Sequence, residues 1–349
     1  MPTTAPTAKM QYVRLGNSGL KVSKIILGTM QYGSPEWQAW VLGEDEALKQ
    51  IKFAYEHGIQ TFDTANVYSN GHSETVLGNA VKKLGLPRDE LVIMTKVYFP
   101  VPADPSTNLF TSGKKPEDVG IINQHGLNRK HIFDSVKASL KRLQMDYIDV
   151  LQCHRFDYDT PIEETMQALH DVVQAGYVRY IGMSSCYAYQ FHQMQTYALT
   201  HNLTPFISMQ NHYNLVYREE EREMFPTLAH FGVGSIPWSP LARGLLTRPL
   251  DGAESKRGGS DWFIGRYKGE ATANIVSRVE ELAKKKGVSM AQVAVAWVLA
   301  KPHVTAPIVG TTSLSNLEDI LGGLNVKLSE EEIKSLEEPY KPMAVTGHY

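Results

Sequence analysis

Short apolar runs rich in β-branched residues alternate with stretches of helical period along this chain, and the alternation recurs about eight times. That order predicts parallel strands joined by crossover helices. The chain opens differently. YVRL and LKVS flank Gly16, Asn17, Ser18 and Gly19, which predicts a hairpin. KIILG is then the first internal strand, and the helix behind it carries Ala47, Ile51 and Tyr55 on one stripe. IQTFDT, ending near Asp63, is the second strand, followed by a helix from about Ser73. LVIMTK, ending in Lys96, is the third, and a long polar loop runs from Val97 to Asn128. Asn128 caps a helix whose stripe is Ile132, Val136, Leu140 and Leu143.

YIDVLQCH is the fourth strand and ends in His154. Behind it, Thr160, Pro161 and Glu163 match a capping box with proline at the first helical position. VRYIGMSS, PFISMQ and GVGSIPWSP are strands five to seven. A second long insertion, rich in glycine and charge, spans Leu241 to Asn274. Ser289 and Gln292 cap a helix carrying Val293 and Trp297, APIVG is the eighth strand, and Ser329 with Glu332 opens the last helix.

Eight such units fit a closed α/β barrel, a (β/α)8 TIM barrel, better than an open sheet, with residues 1–349 as a single barrel domain. In that architecture the loops after the C-terminal strand ends form the active site. Both long insertions follow strand ends, so they are expected over the same face as rim and lid.

The remaining bulk properties narrow the function. A net charge of −2 supplies no electrostatic attraction for nucleic acid or an anionic membrane. No apolar run approaches the ~18 residues of a membrane span, and MPTTAPTAKMQYV has no signal-peptide core. The two cysteines, Cys153 and Cys186, lie in apolar runs and are expected as buried thiols. The expected compartment is cytoplasmic. Histidines are scattered and H-E-x-x-H is absent, so no metal site is expected. No G-x-G-x-x-G follows the first strand and no Tyr-x-x-x-Lys pair occurs, which argues against a Rossmann-type dehydrogenase.

Polar residues fall where strands end: Asp63, Lys96 and His154, with Tyr68 in the loop after Asp63. A barrel gathers consecutive strand ends into one cleft. Together the four make an acid–base set. A tyrosine hydroxyl ordinarily titrates near ~10, too high for efficient proton transfer at neutral pH. An ammonium beside such an oxygen favours the phenolate. In this reading Asp63 holds and balances Lys96, and His154 gives a carbonyl oxygen a second hydrogen bond. A carbonyl polarised in this way is ready to accept hydride from a nicotinamide.

With these residues in view the sequence resembles the aldo-keto reductase superfamily over nearly its whole length. The resemblance is carried by TFDTANVYSNGHSE, VIMTKV, VLQCHRFD, GYVRYIGMSS, MQNHYNLV, PWSPLARGLLT and PIVGTTSLSNLEDIL. Within it, the chain is most similar to the fungal aryl-alcohol dehydrogenase-like and versiconal hemiacetal acetate reductase-like branches, and the closing EEPYKP adds to that. The resemblance implies an NADP(H)-dependent oxidoreductase that interconverts carbonyls and alcohols, with the family's tetrad on Asp63, Tyr68, Lys96 and His154. It puts Ser184, Ser185 and Gln210 at the nicotinamide carboxamide and Trp238 against the nicotinamide ring. Gly28, Thr29 and Met30 form the floor beside that ring. Ser239, Pro240, Leu241, Arg243 and Gly244 match the pyrophosphate loop, and Gly310, Thr312, Asn316 and Asp319 the adenosine pocket.

The sequence departs from many relatives in having asparagine at 316 and Ile320 where a later asparagine is common. Recognition of the 2′-phosphate is therefore expected from the second insertion, through Arg248, Lys256, Arg257 or Arg266. Tyr32, Trp37, Trp40, Tyr98 and Phe99 are the expected substrate mouth, suited to an aromatic or bulky apolar carbonyl. Potassium-channel β-subunits share this fold and bind NADP(H), so the alternative is an NADP(H)-binding regulatory protein with little turnover.

Overall fold

The computed structural model describes residues 9–104, 106–107, 109–251 and 261–348. The hairpin is present: β1 (Tyr12–Arg14) pairs antiparallel with β2 (Lys21–Ser23). Eight parallel strands follow: β3 (Ile26–Gly28), β4 (Thr61–Asp63), β5 (Val92–Val97), β6 (Ile148–Cys153), β7 (Val178–Ser184), β8 (Phe206–Gln210), β9 (Gly234–Ser235) and β10 (Ile308–Val309). Their order is β10-β3-β4-β5-β6-β7-β8-β9. The ring closes between its two ends. Ser235 O accepts from Thr305 N at 2.8 Å, and Pro237 O from Ile308 N at 2.9 Å.

The helices are α1 (Glu44–Glu56), α2 (His72–Lys83), a single turn α3 (Leu109–Ser112), α4 (Arg129–Leu143), α5 (Ile162–Gln174) and α6 (Ala188–Thr200). After them come α7 (Met224–Phe231), α8 (Glu270–Lys286), α9 (Met290–Ala300), α10 (Leu314–Gly322) and α11 (Glu330–Glu337).

Strand alternation sorts the core into two layers. Inside the barrel, Ile26, Val92, Met94, Val150, Ile236 and Ile308 pack with Leu15 and Val22 of the hairpin, which plugs the N-terminal end. The alternate residues, Leu27, Phe62, Ile93, Leu151 and Met183, meet the helices. Gly16 makes the plug possible. Its φ is +58°, and a Cβ there would lie 2.5 Å from Gly232 O.

Caps account for several helix starts. Asn128 accepts from His131 N, Ser289 from Gln292 N, and Ser329 with Glu332 forms a capping box. The chain departs from the expected elements in several places. Thr160 does not cap α5: its hydroxyl bonds Asp157 Oδ2 at 2.7 Å, and Pro161 takes the cap position. Tyr55 keeps to the α1 stripe but only half-buried, packed at the edge of the core with its hydroxyl on Glu90 at 2.5 Å. The ladder of strand seven is cut to two residues because Pro237 and Pro240 have no N–H to give. The second insertion ends earlier than expected, since α8 begins at Glu270 with Ile275, Val276, Val279 and Leu282 facing the core.

Candidate active site

The alternation that builds the core also decides which polar side chains meet. Going outward along β5, Val92 and Met94 face the barrel interior, so Lys96 does too. Register pairs Lys96 with Gln152, and Ser184 with Gln210. The result is a buried knot at the C-terminal end. Lys96 Nζ lies 2.6 Å from Asp63 Oδ2, 2.8 Å from Thr64 O and 3.3 Å from the Tyr68 hydroxyl. The Nε2 atoms of Gln152 and Gln210 each donate to Asp63 Oδ1 at 2.9 Å. Gln210 Nε2 also reaches Gln152 Oε1 at 2.8 Å.

Lys96 is fully buried, and an unpaired charge there would be costly. Burial pulls its pKa down, but the Asp63 carboxylate and the Tyr68 oxygen more than offset this and leave it above the ordinary lysine value. The ammonium therefore persists.

Tyr68 opens a short turn after β4, where Ser69 and Asn70 both take left-handed backbone angles. The turn aims its ring at His154, edge-on with centroids 5.8 Å apart. His154 follows β6 directly, and its own N–H bonds Val97 O at 2.9 Å. Burial, reinforced by the Arg155 and Lys96 cations, holds this imidazole well below its ordinary pKa, so it is neutral at physiological pH. Among the described residues, no group meets its buried Nδ1.

These groups floor a cavity of about 520 Å³. It runs from Gly28, Thr29 and Met30 past Asp63, Tyr68 and His154 to Gly310, Thr312, Asn316 and Asp319 beside α10. Ser184, Gln210, Trp238, Ser239, Pro240, Leu241, Arg243, Gly244 and Arg248 line the wall between. An elongated cleft of this kind suits a dinucleotide whose reacting ring lies over the strand ends and whose far end reaches a helix N-terminus.

The other expected site residues divide. Trp37, Trp40 and Phe99 line the cavity, with Met30 and Tyr68 packed on the tryptophans. Tyr32 does not line it. It is fully buried behind the wall, with its hydroxyl on Gln50 at 2.8 Å, because the chain turns it under α1. Tyr98 packs against the core beside Phe99, also away from the cavity. Ser185 turns aside to accept from Trp238 Nε1 at 3.1 Å. Asp319 lines the cavity, yet its carboxylate holds Ser289 at 2.7 Å and Gln292 at 2.8 Å. Of the basic candidates, Arg248 faces the cavity, whereas Arg266 is exposed and lies over the Phe263 ring at 5.1 Å. Lys256 and Arg257 lie outside the described residues.

Sequence reasoning missed several contributors. Gln152 was legible: it sits two residues before His154, on the same strand face. His212 stacks between Trp238 and Tyr217, 4.1 Å from each and nearly parallel to both. It also bonds the Tyr267 hydroxyl at 2.5 Å and backs the tryptophan as a rigid platform. Asp261 and Phe263 come from the second insertion and clasp Arg243, with Asp261 Oδ2 2.6 Å from Nη1 and the Phe263 ring 4.2 Å from the guanidinium carbon. No local signal in the sequence marked either residue.

Residues 24–341 match the Aldo/keto reductase family. The chain is 49% identical over 340 residues to versiconal hemiacetal acetate reductase of Aspergillus parasiticus, covering 96% of this chain and 98% of that protein. It is 52% identical over 347 residues to a Schizosaccharomyces pombe protein whose name gives aryl-alcohol dehydrogenase as a provisional assignment, covering 96% and 97% of the two chains. It is 45% identical over 351 residues to aldo-keto reductase AMT2 of Alternaria alternata, covering 98% and 94%.

Proposed function

This chain belongs to the aldo/keto reductase family, a family of nicotinamide-using oxidoreductases, and from that premise we propose that it is an NADP(H)-dependent carbonyl reductase with Tyr68 as its proton donor. Residues 1–349 are taken as one barrel domain. The observation that carries the reading is the chain of contacts from Asp63 through Lys96 to the Tyr68 hydroxyl on the cavity floor.

The cofactor, when bound, supplies the hydride that reduces the carbonyl carbon. Everything else falls to side chains. Ser184 and Gln210 hold the carboxamide, and Trp238, backed by His212, offers a flat face to the ring. Ser239 to Gly244 hold the pyrophosphate. Thr312 and Asn316, with Gly310, hold the adenosine, and Arg248 meets the 2′-phosphate. Tyr68 hands its proton to the carbonyl oxygen, and Lys96 stabilises the negative charge left on the phenol oxygen. His154, neutral, donates a second hydrogen bond to the same carbonyl oxygen. The phenolate is then reprotonated from solvent. Trp37, Trp40 and Phe99 favour an aromatic or bulky apolar aldehyde or ketone.

The test is NADPH consumption against a panel of aryl aldehydes, quinones and polyketide-like carbonyls. Turnover of at least one is expected, with the alcohol as product. Tight NADPH binding with no turnover of any of them would favour the regulatory alternative.

A further inference from the structure

The buried knot at the strand ends contains a glutamine, Gln152, that neither the hydride step nor the proton step uses. It stands on β6, fully buried, with β7 between it and Gln210 at the end of β8. The two side chains meet because β7 carries glycine where they cross. A Cβ on Gly182 would lie 3.2 Å from Gln152 Cγ and 2.4 Å from Ser208 Oγ. With no side chain there, Gln210 Nε2 reaches Gln152 Oε1 at 2.8 Å across the barrel interior.

The Asp63 carboxylate fixes which way both amides point. A carboxylate paired with an ammonium only accepts hydrogen bonds, so the atoms 2.9 Å from Oδ1 must be the NH2 groups of the two glutamines. Gln152 Oε1 is then turned to Gln210 and accepts from its Nε2. An NH2 group has two hydrogens, and in Gln210 one goes to Asp63 and the other to Gln152. Gln210 lines the cavity, and the polar atom its side chain has left to present there is Oε1, an acceptor.

Ser184 matches it. Its hydroxyl donates to Gln210 O at 2.8 Å, so towards the cavity its Oγ is an acceptor as well. The neighbouring Ser185 accepts from Trp238 Nε1 and does not line the cavity.

We infer that Gln152 is a positioning residue for the cofactor: by holding the second hydrogen of the Gln210 amide, it makes the carboxamide subsite one of acceptors, which selects the nicotinamide by its NH2 group rather than by its carbonyl oxygen. The inference rests on the reading of Ser184 and Gln210 as the carboxamide subsite and leaves the hydride and proton steps unchanged.

The experiment measures equilibrium binding, through quenching of tryptophan fluorescence, of NADP+, its thionicotinamide analogue and its 3-acetylpyridine analogue. The first analogue keeps the NH2 group and exchanges oxygen for sulfur. The second keeps the oxygen and carries a methyl in place of NH2. Wild type is expected to bind the thionicotinamide form within about threefold of NADP+. The acetylpyridine form should bind roughly tenfold or more weakly, because a methyl leaves two enclosed acceptors without a donor. Gln152→Met releases one N–H of Gln210 to turn towards the carbonyl oxygen, and should narrow that gap to about threefold or less. Gln152→Asn is one methylene shorter and cannot span Asp63 and Gln210 at once. It should narrow the gap in the same direction, and it keeps a polar group in the knot should Gln152→Met fail to fold. Equal wild-type affinity for NADP+ and the acetylpyridine form would overturn the inference, as would a thionicotinamide form bound as weakly as the acetylpyridine one. A gap left unchanged by the substitution, even with affinity lowered for all three, would make Gln152 part of the core only and overturn it too. A wild type that binds none of the three would instead overturn the nicotinamide reading, and this inference with it.

Discussion

The cavity has two halves that are built differently. At the strand ends, Asp63, Lys96, Gln152 and Gln210 are nearly inaccessible, and each is tied to at least one of the others. On the insertion side, Arg243, Arg248, Asp261 and Phe263 sit on loops and short turns, where, among the described residues, Arg243 pairs with Asp261 and packs on the Phe263 ring. In the first half, barrel register fixes geometry without ordering a loop. In the second, positions are set by contacts between residues of loops and short turns rather than by strand register. In the proposed reductase, chemistry falls to the strand-end half and cofactor grip to the insertion half, and each can be broken separately.

The largest effect is expected in the strand-end half. Tyr68→Phe should lower kcat by ~10²–10⁴-fold, the usual contribution of general acid catalysis, with little change in NADPH affinity measured by fluorescence. A kcat within tenfold of wild type would remove Tyr68 from the mechanism.

Next in size is stability. Lys96→Met strands the buried Asp63 carboxylate, and removing one partner of such a pair costs ~3–5 kcal/mol. Urea unfolding should register that loss. Adding Asp63→Asn should recover part of it, because the stranded charge is gone. A double variant less stable than Lys96→Met would contradict the pairing.

A pH dependence of stability follows from the depressed imidazoles. Burial, reinforced by neighbouring cations, holds both His154 and His212 well below the ordinary value. Between that value, near ~6.5, and the lower folded one, the unfolded chain binds more protons, so stability rises with pH there and is lost as pH falls. Unfolding free energies from denaturant titrations at pH 7.5 and 5.5 should differ by about 1–3 kcal/mol for the two together. A stability unchanged over that range would mean that neither group is depressed.

The insertion half should give smaller effects. Arg248→Ala is expected to cut the preference for NADPH over NADH by about tenfold, with added salt weakening what remains. Equal wild-type efficiency with both cofactors would show that the neutral residues Thr312 and Asn316 decide the choice. Asp261→Asn should loosen cofactor by only a few-fold, chiefly by faster release, since it removes one clasp from a loop that Phe263 still packs. A release rate unchanged from wild type would mean that the clasp carries no load.

The same division explains what was legible in the sequence. Residues at strand ends obey period two, so Asp63, Lys96 and His154 could be assigned to one cleft from spacing alone, and Gln152 could have been added by the same rule. The eight-unit barrel and its hairpin followed from hydrophobic pattern. Loop residues carry no such period. Tyr32 and Tyr98 are aromatic and adjacent to site residues, yet the backbone turns them into the core. His212 was hidden because its role arises from a stack with residues 26 positions away, at Trp238, and five away, at Tyr217. Asp261 becomes meaningful only through Arg243, 18 residues earlier.

The central claim joins the two halves: a ring held flat on Trp238 delivers hydride to a carbonyl that Tyr68 protonates. The most direct measurement reduces an aryl aldehyde with NADPH deuterated at C4 in either of its two configurations, and reads the alcohol by mass spectrometry. Because His212 backs one face of Trp238 and leaves the other to the cavity, deuterium should appear at the alcohol carbon from one configuration only, and Tyr68→Phe should slow its appearance by ~10²-fold or more. Label arriving equally from both configurations, or no label in the alcohol at all, would contradict the account.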